Sequence, residues 1–254
     1  MRFTHLAVLI CGMIPVASPA MVGGGSAPSG AVASTVVTIV GSRGTSCTGA
    51  LIAKDLILTA GHCIAPDTDY KVVDCKNHPP RLLDVKRVAV HPQFKMQSLL
   101  AHRATADVAL LQMGSHSSSG PTASLGPALI PITIGMRFTV VGMGVAERGN
   151  GASGGVARAA SLAVIGKPGT LQVRLVDPLT NNLRPGLGAC TGDSGAPVLL
   201  DLNGHSTIFG IVSWSTGPRN TSGCGGLTGV TPLALYRSWI VETASKWGSP
   251  LTIP

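Results

Sequence analysis

The chain has 254 residues, 44% of them hydrophobic and only 12% charged, with a formal net charge of +8. That length allows one or two domains with a sizeable core, and the composition is the reverse of a disordered chain's. The 7 Lys and 12 Arg are scattered with no dense run and no nucleic-acid motif, so they read as a solvated basic surface, and nucleic acid is not an expected partner.

Met1–Ala20 reads as a secretory signal peptide. Arg2 supplies the positive end, Leu6 to Val16 the apolar stretch, and Ser18-Pro19-Ala20 the small residues at a cleavage site. Pro15 and the shortness of the run argue against a membrane anchor. Cleavage would leave residues 21–254, a charge of +7 after loss of Arg2, and five of the six cysteines after loss of Cys11. The expected location is outside the cell or in a periplasm, where cysteines can pair.

Beyond a Gly/Ser-rich start at Met21 to Gly30, short β-rich runs follow one another. They are Ala33 to Val40, Thr48 to Ala53, Asp55 to Thr59, Tyr70 to Cys75, Leu82 to Val90 and Val108 to Met113. Then come Thr139 to Gly144, Leu171 to Val176, Ala196 to Leu200 and Thr207 to Trp214. Tyr236 to Ala244 is the one credible helix. With 33 Gly and turn signals at fairly even spacing, this pattern predicts an all-β chain of two barrels.

Three stretches carry chemistry. In Thr191-Gly192-Asp193-Ser194-Gly195, a serine sits among glycines whose bare backbone lets a substrate carbonyl approach the N–H groups of Gly192 and Ser194. Leu58-Thr59-Ala60-Gly61-His62-Cys63 runs a strand into an imidazole, a group that titrates near ~6.5 and can take and return a proton. Ala106-Asp107-Val108-Ala109 places a carboxylate at the head of an apolar run, 45 residues after His62. Burial there demands a partner, although a plain strand-end carboxylate is the simpler alternative. A second serine motif, Gly151-Ala152-Ser153-Gly154-Gly155, matches the Gly-x-Ser-x-Gly string of α/β-hydrolases. No buried strand precedes it and no helix pattern follows, so it reads as a loop. No HExxH string or paired Cys/His ligand set calls for a metal, and no motif calls for a cofactor.

In the order His, Asp, Ser, these stretches resemble the trypsin/chymotrypsin family of serine proteases over nearly all of Met21 to Trp247, and the compact leader points to a bacterial secreted member. The resemblance implies two six-stranded antiparallel barrels with a short C-terminal helix and catalytic groups in the cleft between them. It implies a serine endopeptidase acting on polypeptides through an acyl-enzyme. His62 would be the base, Asp107 its orienting carboxylate, Ser194 the nucleophile, and the N–H groups of Gly192 and Ser194 the oxyanion hole. It pairs Cys47 with Cys63 and Cys190 with Cys224, leaving Cys75 as a buried thiol or an intermolecular partner.

The resemblance also places Gly188 at the base of the substrate pocket, where a Lys/Arg-specific member carries Asp, and Ser213-Trp214-Ser215 along the substrate backbone. Val212 lacks the His that some Glu-specific members use. A small or apolar residue is therefore expected before the scissile bond. Ser215 stands where the family usually has Gly, and Met143 where it often has an aromatic. Met21-Val22-Gly23-Gly24 resembles the family's activating N-terminus, 26 residues before Cys47, with Asp193 as the partner of the freed ammonium. The rival reading is a catalytically silent, basic family member that acts as a binding protein.

Overall fold

Short apolar runs separated by glycine and polar turns fold into antiparallel strands, as their period and turn chemistry dictate. The computed structural model describes residues 21–74, 80–101, 103–114, 120–127, 130–166 and 169–251. The expected leader Met1–Ala20 and Cys75 lie outside the described residues.

Strands β1 (Val36–Gly41), β2 (Ser46–Ala53), β3 (Leu56–Thr59), β4 (Tyr70–Asp74), β5 (Arg81–Val90) and β6 (Ala109–Met113) close into a barrel in the order β1-β2-β3-β6-β5-β4. Ile39, Leu51, Ile57, Tyr70, Val72, Leu111 and Met113 fill it.

The second half holds β7 (Ser124–Leu125), β8 (Arg137–Gly142), β9 (Arg158–Val164), β10 (Val173–Val176), β11 (Pro197–Leu202), β12 (His205–Ser215) and β13 (Thr228–Pro232). The sheet order is β11-β8-β9-β10-β13-β12, and the additional pairing of β11 with β12 closes it as a second barrel. Phe138, Val140, Leu162, Leu175, Val198 and Val230 pack inside. The two six-stranded antiparallel barrels and the C-terminal helix agree with the expectation. β7, which adds parallel to β12, is extra.

A third cluster joins the halves. Leu58 and Leu110 from the first barrel meet Val141, Leu199 and Ile211 from the second, together with Tyr236, Ile240 and Ala244 of the C-terminal region. The Gln112 side-chain amide donates to Asp55 at 2.8 Å and to the Trp247 carbonyl at 3.0 Å, tying the chain after the helix to the first barrel.

Some boundaries differ from the sequence reading. Gly30–Ala33 is a helical turn (α1), and the expected strand from Ala33 starts only at Val36. The Ser34 and Thr35 hydroxyls bond back to the carbonyls of Ala31 and Val32, each at 2.8 Å, and hold the turn against extension. A second short helix, α2 (Met96–Leu100), occupies the polar loop before Asp107. The C-terminal helix α3 spans Arg237–Lys246. Among the described residues no helix is long and apolar enough to cross a membrane.

Candidate active site

β3 is buried along its whole length and ends at Thr59, where a one-turn 3₁₀ helix, Gly61–Cys63, presents His62. The turn is closed by Cys63 N–H to the Ala60 carbonyl at 3.2 Å and by the Cys47–Cys63 disulfide to β2. The His62 side chain keeps 18% exposure, enough to meet a ligand in the cleft.

Asp107 precedes β6 and is fully buried. Its Oδ1 accepts the His62 backbone N–H at 2.9 Å, and its Oδ2 lies 2.9 Å from His62 Nδ1. Oδ2 also accepts the Ser213 hydroxyl at 2.5 Å. A carboxylate taken out of water needs such donors. With Nδ1–H committed to Asp107, Nε2 is left with its lone pair. Among the described residues the imidazole's hydrogen bonds all go to Asp107. In substrate-free sites the contact between base and nucleophile is often long and tightens only on binding.

Ser213 occupies a register shift in the pairing of β12 with β13, between Val212 and Trp214. Such an irregularity re-aims a side chain, here toward Asp107. The resemblance sets Ser213 along a substrate backbone, and nothing in the sequence announces its bond to Asp107, which falls at this register shift.

Ser194 is half-buried in the loop between Cys190 and β11, and this loop is pressed against the first barrel. The Ser194 carbonyl accepts the Thr48 N–H of β2 at 2.8 Å. A Cβ on Gly195 would fall 2.1 Å from the Thr59 hydroxyl and 2.8 Å from the Ala60 nitrogen, so only glycine permits this approach. The Ser194 loop therefore docks two residues from His62. Gly192 has φ +91°, and a Cβ there would lie 2.9 Å from Gly144 Cα. The Cys190–Cys224 disulfide ties this loop to the segment before β13, and both disulfides match the expected pairing.

Asp193 is also fully buried. Its carboxylate accepts the N–H groups of Gly144 at 2.8 Å and Cys190 at 2.9 Å. Burial nevertheless pushes its pKa up to about 6, against the lowering effect of those N–H groups and of the Arg158 guanidinium. Met21 is buried in the second-barrel core together with Ala189, and Val22 bridges to Gly188. The structure thus brings the Met21–Gly24 segment against the chain that leads into the Ser194 loop.

A Cβ on Gly188 would lie 3.2 Å from Gly225 Cα and 3.5 Å from the Thr228 hydroxyl, which itself accepts the Ala189 N–H at 3.1 Å. Val212 and Thr228 are buried, and Trp214 and Ser215 are half-buried at the end of β12. None of these residues brings a charge. Ser153, by contrast, uses its hydroxyl to accept the N–H groups of Ala146 and Glu147 and to donate to the Asn150 carbonyl, so it closes a turn.

With this geometry, the sequence pattern of the family described as Trypsin matches residues 21–240. The chain belongs to the trypsin family. It is similar to human serine protease 56, 27% identical over an alignment 254 positions long that spans 90% of this chain and 39% of that protein. It is also similar to mouse vitamin K-dependent protein C, 25% identical over 234 residues that cover 81% of this chain and 48% of that protein. The chain thus spans less than half the length of either relative. Both are animal proteins and give no support to the bacterial source expected from the leader.

Proposed function

We propose that this trypsin-family chain is a secreted serine endopeptidase. The observation that carries the reading is the fully buried Asp107 carboxylate, shared by His62 and Ser213, beside the docked nucleophile loop. Ser194 Oγ attacks the scissile carbonyl while His62 Nε2 takes its proton. The oxyanion is held by the N–H groups of Gly192 and Ser194. The C–N bond breaks as His62 protonates the leaving amine, and an acyl-enzyme remains. Water, deprotonated by His62, then releases the acid and restores Ser194.

Gly188, Val212, Thr228, Trp214 and Ser215 bring no charge, and the nearby buried carboxylate of Asp177 is already taken up by the Leu179 and Leu187 N–H groups, which favours a small or apolar side chain before the scissile bond, since an unpaired cation would be costly there. Trp214 and Ser215 would pair with the substrate backbone as an added strand. The leader Met1–Ala20 would direct export. Its removal before Met21 would free an ammonium that pairs with Asp193 and sets the oxyanion hole.

Covalent labelling with an organophosphonate tests the class. The expected result is stoichiometric labelling that Ser194→Ala abolishes, with peptide hydrolysis falling by several orders of magnitude in Ser194→Ala and His62→Ala. A folded protein that neither labels nor cleaves would favour the silent, basic binding protein. N-terminal sequencing of active secreted protein should begin at Met21, and a start well beyond it would refute the activation step.

A further inference from the structure

Thr48 follows Cys47 on β2 and is fully buried. All its polar groups face the nucleophile loop or that loop's neighbours. Its hydroxyl donates to the Gly192 carbonyl at 2.7 Å and accepts the Met143 N–H at 3.1 Å. Its backbone N–H donates to the Ser194 carbonyl at 2.8 Å. Its own carbonyl accepts the Thr59 hydroxyl at 2.7 Å, which fixes it to the strand leading to His62.

We infer that the Thr48 hydroxyl is a positioning group for the oxyanion hole, an assignment that rests on the endopeptidase reading above. The two carbonyls that Thr48 holds, those of Gly192 and Ser194, flank Asp193 on either side. Clamping them fixes the Gly192–Asp193 and Ser194–Gly195 peptide planes. The Asp193–Ser194 plane, which carries the Ser194 N–H, lies between these two and is itself held by the Ala196 N–H, which donates to the Asp193 carbonyl at 2.9 Å. Gly192 is the freest residue of the loop, and its N–H is the other donor. That N–H lies in the Thr191–Gly192 plane, whose carbonyl accepts the Val145 N–H at 2.9 Å, while Thr48 holds the next plane through the Gly192 carbonyl, and a Cβ on Gly192 would lie 2.9 Å from Gly144 Cα. The same hydroxyl bonds Met143, so the wall behind Gly192 is tied to the same atom. Donors fixed before the charge develops cost no reorganisation in the transition state. Thr48 does this without touching substrate.

The test compares Thr48→Val, which keeps the shape and removes the hydroxyl, with Thr48→Ser, which keeps the hydroxyl. Active sites are titrated with a phosphonate, so turnover is read per labelled serine. Thermal unfolding and disulfide content confirm the fold. For Thr48→Val we expect kcat on a peptide amide to fall about 10- to 100-fold, less than or equal to the loss of one oxyanion donor. KM should change by no more than about two-fold, and inhibition by a peptide aldehyde should weaken by the same factor as kcat. Thr48→Ser should recover activity to within a few-fold. Unchanged kcat per labelled site in a folded Thr48→Val overturns the inference and leaves the endopeptidase reading standing. So does a folded Thr48→Ser as poor as Thr48→Val, because shape and not the hydroxyl would then matter. A wild type that neither labels nor hydrolyses overturns both.

Discussion

Asp107 meets three donors on two oxygens, and they are not interchangeable. The His62 ring N–H on Oδ2 sets the tautomer, the His62 backbone N–H fixes Oδ1, and the Ser213 hydroxyl holds Oδ2 at 2.5 Å. Asp107→Asn would turn an amide N–H₂ toward groups that must donate, force the imidazole into its other tautomer, and lower kcat by on the order of 10⁴ while leaving KM little changed. Ser213→Ala removes one donor but keeps the tautomer, so its cost should be about ten-fold in kcat. The losses should not add in the double variant, because both act through the same imidazole. Steady-state kinetics of the three proteins decides this, and independent, additive losses would separate Ser213 from the pair.

At the level of the element, the Met21–Gly24 segment and the chain leading to Asp193 form one packed unit, with Met21 in the core beside Ala189 and Val22 bridged to Gly188. Asp193 is raised from an ordinary 3.8 to about 6 by burial. A carboxyl with a raised folded pKa favours the fold at pH values below its ordinary range, and that contribution is lost as pH climbs through about 6. Above that, the folded chain carries an ionised buried carboxylate at a cost of about 3 kcal/mol. An ammonium at Met21 would offset this cost. A form with one residue added before Met21 should therefore lose thermal stability between about pH 4 and 6, and a form that begins at Met21 should not. Asp193→Asn should abolish the difference. Superimposable melting temperatures for the two forms across that range would rule out the pairing.

The same unit shows how far the sequence could be read. The Gly192-to-Gly195 string and the glycines that end β8 were visible as chemistry and as breaks. Their mutual fit was not, because Gly142 and Gly144 make room for a carboxylate some 50 residues further on. His62, Asp107 and Ser194 were legible as candidates because each sits in a local motif. Thr48 was not, because a threonine in a strand announces nothing until the other barrel is placed against it. The helical turn at Gly30–Ala33 was hidden by β-rich neighbours, and it is held by a Ser29 cap and by the Ser34 and Thr35 hydroxyls bonding back to it.

Across the whole molecule the positive charge is unevenly answered. From Arg137 to Pro232 the exposed carboxylates are Glu147 and Asp201, while Arg137, Arg148, Arg174, Arg184 and Arg219 are exposed among the described residues. Arg174 matters most because of where it stands. Its guanidinium lies 6.0 Å from the centre of the Trp214 ring, next to Ser213 on β12. It also lines a recess of about 510 Å³ with Ala104, Leu171 and Gln172. An extended polypeptide running beside Trp214 would carry a side chain past this cation. No carboxylate of the described residues forms a salt bridge with it. Peptides with Asp or Glu a few residues before the scissile bond should therefore be cleaved about two- to five-fold better than their Ala counterparts, the range of an exposed ion pair. The advantage should shrink as salt rises from low ionic strength toward ~1 M, where the screening length is about 3 Å. It should vanish in Arg174→Ala, while kcat/KM on the Ala peptide stays within about two-fold of wild type. Matched peptide pairs assayed across a salt series measure it. An acidic preference that survives both high salt and Arg174→Ala would place its origin elsewhere on the basic surface, and no preference at low salt would mean that the recess does not read substrate charge.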